Sequence, residues 1–90
     1  MEMIEYDLSE HAAEAIAERD IELRWVEQVL SSPELVIPDP EDEELEHHYG
    51  KIAEYGNRVL RVVFNKGVIP IRIVTAYFDR SMKGRLWNYK

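Results

Sequence analysis

Five residues in the middle of the chain have side chains suited to handling phosphate: His47, Tyr49, Lys51, Arg61 and Arg72. Arginine offers a planar fork to a phosphate, lysine a point charge, and tyrosine a ring on which a base can stack. An imidazole beside them completes the parts for cleaving RNA without a metal. In that chemistry the 2′-hydroxyl attacks the neighbouring phosphate, a base takes its proton, cations stabilise the phosphorane, and an acid protonates the leaving 5′-oxygen. His47 or His48 would act as base or acid, and Arg61 and Arg72 would supply charge. The same residues equally suit an ordinary polar face of a solvated sheet, and their types alone leave both readings open.

Strand alternation is what would gather them. Arg58 to Phe78 reads as a β-hairpin, with two runs rich in Val, Ile and aromatics around Asn65-Lys66-Gly67. A two-residue Lys66-Gly67 turn pairs Leu60, Val62 and Phe64 with Ile73, Ile71 and Ile69 on one apolar face. Arg61 and Arg72 then leave by the other face. Pro70 gives no ladder N–H, so it predicts a sheet edge or a bulge. Leu45 to Ala53 reads as a preceding strand, turned by Glu54 to Asn57. A three-residue loop there sets Ile52 opposite Leu60 and puts His47, Tyr49 and Lys51 on the Arg61 face. Lys51 and Arg72 become the neighbours of Arg61, three cations side by side. Tyr77 falls by parity on the core face unless a bulge near Pro70 reverses it. His47 and His48 point to opposite faces, which disfavours a shared metal. The chain has no zinc signature, Gly-rich phosphate loop or Ser nucleophile motif, so no metal or other cofactor is expected.

Upstream, Met3 to Asp7 reads as a short strand. A helix capped by Asp7 or Ser9 follows, with Leu8, Ala12, Ala15, Ile16 and Arg19 at helical spacing. Glu22 to Ser31 reads as a second helix, striped by Leu23, Val26, Val29 and Leu30 and stopped by Pro33. Glu34 to Ile37 reads as another strand. The fold class expected is α+β: two N-terminal helices packed on one face of a four- to five-stranded antiparallel sheet whose other face is open. Ile16, Val26, Leu30, Ile52, Leu60, Val62, Phe64, Ile71 and Ile73 should form the core. Ninety residues make one domain, 1–90.

Charge divides the chain. Residues 1–46 hold sixteen acidic and two basic residues, a net of −14, and residues 47–90 hold nine basic and two acidic, a net of +7. The basic half suggests an anionic partner. The acidic loop 38–46 has six carboxylates between Asp39 and Glu46 and reads as a mobile, solvated segment. Two sharper readings are a phosphate mimic guarding the basic face and a weak cation site. The basic tail 79–90 adds Arg80, Lys83 and Arg85 as candidate RNA contacts. No cysteine is present, which suits a reducing cytoplasm, and no apolar run is long enough to span a bilayer.

Several short motifs also resemble a family. Ser9-x-His11-Ala12, Arg19-x-Ile21, the Trp25-Val26 helix ending near Pro33, Arg61-Val62-Val63 and Val74-Thr75-Ala76-Tyr77 resemble a small prokaryotic family of unknown function, over roughly residues 5–80. That family is grouped with RelE- and BrnT-type toxins in the barnase/colicin/RelE-like fold. The resemblance implies a toxin-like, metal-independent endoribonuclease fold with substrate on the sheet and an antitoxin as partner. It singles out His11, Arg61, Tyr77 and Arg80, joined by His47, as catalytic candidates. Tyr49, Lys51, Arg72, Lys83 and Arg85 would bind RNA. His11, in the first helix turn, also fits an imidazole packed at a helix–sheet edge. A non-catalytic binding module of the same fold, docking a protein or nucleic acid, is the alternative.

Overall fold

The computed structural model describes residues 4–82 and residue 86. The order is β1 (Tyr6–Leu8), α1 (Glu10–Glu18), α2 (Leu23–Ser31), β2 (Leu35–Pro38), β3 (Leu45–Ile52), β4 (Arg58–Asn65) and β5 (Ile71–Phe78). Short 3-10 turns cover Ala53–Tyr55 and Arg80–Met82. The strands form one sheet in the order β1-β5-β4-β3-β2.

One feature of the expected α+β architecture needs correcting. The sheet is mixed, because β1 runs parallel to β5 while the other pairs are antiparallel. As the strand reading of Met3 to Asp7 implied, both helices follow β1, and they carry the chain across the sheet, which is why β1 can lie parallel to a later strand.

Local chemistry fixes α1 to the sheet. Ser9 caps it by accepting the Ala12 amide at 3.0 Å, and its own amide donates to the Ile73 carbonyl at 2.9 Å. Ala12 and Ala15 are small enough to bring the helix close to β5, with Ile16 packed beside them. Asp20, with φ +53°, reverses the chain. Trp25, Val26, Val29 and Leu30 then lay α2 on β3 and β4. Gly50 on β3 lets α2 approach, since a Cβ there would stand 3.1 Å from a Val29 methyl. All the residues expected in the core are there, with Ile71 half-buried at its margin.

Both hairpin registers differ from expectation. The β3–β4 loop has five residues rather than three, with Gly56 and Asn57 both in the left-handed region, so Ile52 pairs with Arg58 and Gly50 with Leu60. A two-residue slip keeps parity, and every face assigned on β3 survives. The β4–β5 turn is longer too: residues 66–70 lie outside the strands, and Ile69 is fully exposed rather than paired with Phe64. Phe64 pairs with Ile73 and Val63 with Thr75, which leaves Val74 as a bulge. Its carbonyl accepts from Ser9 Oγ at 3.4 Å. Beyond the bulge the parity of β5 is reversed, and Tyr77 lies opposite Arg61.

Candidate functional site

Arg61 is the centre of the sheet face away from the helices. Its cross-strand partners are Tyr49 on β3 and Tyr77 on β5, and the guanidinium carbon lies 5.1 Å and 5.5 Å from their ring centroids. Two rings thus flank one cation. The expected neighbours Lys51 and Arg72 are elsewhere. Lys51 pairs with Val59 and bonds to Glu34. Arg72 pairs with Asn65, five residues along β5 from Tyr77 or about 16 Å away. The clash of three cations therefore does not arise.

Carboxylates neutralise Arg61 instead. Its Nη1 donates to Asp79 Oδ2 at 2.8 Å, and its Nε donates to His47 Nδ1 at 2.9 Å. An arginine N–H can only donate, so Nδ1 is the acceptor and His47 carries its proton on Nε2. Nε2 donates in turn to Asp39 Oδ1 at 2.7 Å. Asp39 Oδ2 accepts the amides of Glu41 and Asp42 at 3.0 Å each, and Asp79 Oδ1 accepts the Ser81 amide at 2.9 Å and hydroxyl at 2.5 Å. The result is a continuous chain, Asp39–His47–Arg61–Asp79–Ser81, across two strands, the loop after β2 and the turn after β5.

The electrostatics follow from these bonds. The His47 bond, then the loop amides, hold the Asp39 carboxyl below its ordinary range. Burial pushes Asp79 up, but the Ser81 bonds and the Arg61 charge outweigh it, and the net displacement is downward. Both carboxylates are therefore anions at neutral pH.

The face is not open. Met82 and Leu86 pack on Tyr49 and Val59, with Leu35 beside them, so residues after β5 roof one end of it. The acidic loop closes another part through Asp39. This loop is tied down rather than free: Asp39 N donates to the Leu45 carbonyl, Lys66 N donates to the Glu44 carbonyl, and Lys66 Nζ reaches Glu46. About a quarter of the Arg61 side chain remains exposed.

Among the residues singled out by sequence, the fold brings together His47, Tyr49, Arg61 and Tyr77. His11 is exposed on α1, across the sheet from Arg61. Arg80 is exposed beside Asp79, and Lys83 and Arg85 lie outside the described residues. His48 faces the helix side, edge-on to Phe64 at 4.7 Å, so it cannot share chemistry with His47. Sequence reasoning missed Asp39, Asp79 and Ser81. An Asp two residues before amides it can bond is a turn signal, and Asp39 carried it; Asp79 shares the parity of Tyr77 and became legible only once the bulge was placed.

A family model for a domain of unknown function, DUF4258, matches residues 8–78. The chain belongs to the DUF4258 family. The match takes in Asp39, His47, Arg61 and Tyr77, while the Asp79–Ser81 end of the chain of bonds lies just beyond it. Neither a curated protein nor a solved structure matches this DUF4258 chain. Among its described residues no helix is long and apolar enough to cross a membrane.

Proposed function

We propose that this DUF4258 chain is a toxin-like RNA-binding protein, with the Arg61 face as its RNA contact and an antitoxin as its partner. One observation supports this most: an arginine bonded to an imidazole stands between two tyrosine rings, a donor set for a phosphate with stacking platforms beside it. The resemblance to RelE- and BrnT-type toxins favours the same face. In the free protein the carboxylates of Asp39 and Asp79 hold the positions that phosphate oxygens would take. RNA binding then means exchanging these internal anions for external ones.

The proton positions limit the chemistry. While Nδ1 accepts from Arg61, His47 is a neutral imidazole, whose Nε2–H can hydrogen-bond a phosphate but cannot protonate a leaving 5′-oxygen; Arg61 is placed to stabilise a phosphorane. The base is the harder part. His47 Nδ1 faces Arg61, and both carboxylates are weak bases. Metal-independent cleavage requires His47 to leave Arg61, or a base from outside the domain. Inducing the protein in cells tests the reading. Wild type should arrest growth with cleaved RNA, and Arg61→Lys, which keeps the charge facing Asp79 but loses the fork, should not. Purified protein should bind RNA less tightly as salt rises. Unimpaired growth together with no salt-dependent RNA binding would overturn it.

A second reading is a non-catalytic docking module. It is favoured by the saturation of the site, since both ring nitrogens of His47 and two donors of Arg61 are already bonded internally. RNA binding without cleavage or growth arrest would select it.

A further inference from the structure

At the end of the sheet, next to Asp79, a cleft of about 330 Å³ is lined by Arg58, Val59, Phe78, Asp79 and Arg80. We infer that this cleft binds a small phosphorylated ligand of the mononucleotide class. The inference does not rest on the RNA reading of the Arg61 face.

The charge pattern is the first ground. The chain carries a net −7, so acidic partners are abundant. Arg24, Lys51, Arg61 and Lys66 each bond to a carboxylate, while Arg19 donates to the Ala76 carbonyl and Arg72, on a different part of the sheet, has no carboxylate partner among the described residues. Arg58 and Arg80 line one cleft, and among the described residues neither pairs with a carboxylate. Among the described lining residues Asp79 is the acidic one, and its oxygens are occupied by Arg61 and Ser81. Two guanidinium groups lining one concave surface give an anion two planar forks to bind.

The second ground is how they are held. Arg58 stacks on Tyr55, with its guanidinium carbon 4.7 Å from the ring centroid, and donates to the tyrosine hydroxyl at 3.4 Å. A ring positions a cation without neutralising it. Tyr55 is backed by Trp25 at 5.3 Å and Phe78 at 5.0 Å. Arg80 begins the turn that Asp79 pins through Ser81 and through the Met82 amide. Both arginines thus stand on ordered supports. Phe78 supplies an apolar, aromatic wall, and the volume suits a small molecule. Two forks for a phosphate beside an apolar, partly aromatic wall for a flat body describe a mononucleotide.

The test is a titration of the full chain with AMP, following the amide NMR signals of Val59, Asp79 and Arg80, repeated with adenosine and with inorganic phosphate. Saturable shifts at these amides are expected, with AMP binding more tightly than either half. Arg58→Gln and Arg80→Gln should each weaken AMP about tenfold, roughly the loss of one charge-assisted hydrogen bond. Arg72→Gln, on a distant part of the sheet, should not. The inference is overturned by the absence of saturable shifts in wild type, by equal affinity for adenosine, or by unchanged binding in both arginine variants. Should either variant fail to fold by circular dichroism, the wild-type comparison of the three ligands decides alone. No growth or RNA assay enters, so this site and the RNA reading stand or fall separately.

Discussion

The two faces of the sheet are both buried, yet by different means. On the helix side Ile52, Leu60, Val62, Ile73 and Ala76 are shielded by α1 and α2, and the contacts are almost wholly apolar. On the other side Tyr49 and Val59 are shielded as well, but by Met82, Leu86 and Leu35, while the acidic loop reaches His47. Through that second layer runs the ionic chain from Asp39 to Ser81. The helix face is held by area and shape, which are tolerant of partner identity. The Arg61 face is held by specific donors and acceptors, each needing its partner in place. A face rich in polar residues is thus not necessarily a solvated one; here it is a second, smaller core organised around a cation.

Breaking the helix face should have the largest effect. Leu60 is fully buried, and Leu60→Ala should cost about 3–5 kcal/mol by leaving a cavity, read from chemical denaturation. A loss below about 1 kcal/mol would mean this face is not the main core.

Arg61→Ala comes next. The notion that three crowded cations destabilise this position would make that variant as stable as wild type or more so. The observed bonds predict the reverse, since Asp79 is left as a largely buried anion facing only Ser81. Because the pair retains some solvent access, the loss should be about 1–3 kcal/mol rather than that of a fully buried pair. A melting temperature at or above wild type would sink the idea of a second core.

Acid should then act on the ionic chain, with a further contribution from Glu46, which bonds His48 on the helix side. Asp39, Asp79 and Glu46 all have depressed carboxyl pKa values in the fold. For Glu46 burial acts upward, but bonds from His48 and Lys66 prevail. The unfolded chain therefore takes up protons first as pH falls. Stability from these groups is present above about pH 4 and is lost as pH drops through the lower folded values. Asp79→Asn should reduce stability at pH 7 and flatten the acid limb of a melting-temperature profile. An unchanged acid limb in that variant would show that Asp79 is not coupled to folding. Replacing Asp39 to Glu46 by a Gly/Ser linker should lower the melting temperature, because it removes the anchor on His47.

The smallest effect sharpens the boundary. Arg72 is exposed on the same side as Arg61 but outside the ionic chain, and Arg72→Ala should change stability by less than about 0.5 kcal/mol. A larger loss by denaturation would extend the second core along β5.

The alternation of Leu60, Val62 and Phe64 against Arg61 was legible from the sequence alone. So were a helix cap at Asp7 or Ser9, of which the structure selects Ser9, the apolar stripe of α2 and the grouping of His47 and Tyr49 with Arg61. Alternation and capping depend on neighbouring residues, so the order of amino acids is sufficient to specify them. The partners of Arg61 were not legible. Tyr77 reaches it only because Val74 bulges, and one extra residue inverts every later side chain. Asp39 and Asp79 lie twenty-two residues before and eighteen after Arg61, and what places them is the closure of the β2–β3 loop and the turn after β5. Register, bulge and charge partner are set when distant segments settle against one another. Several arrangements satisfy the same local pattern, and only the packed whole selects one.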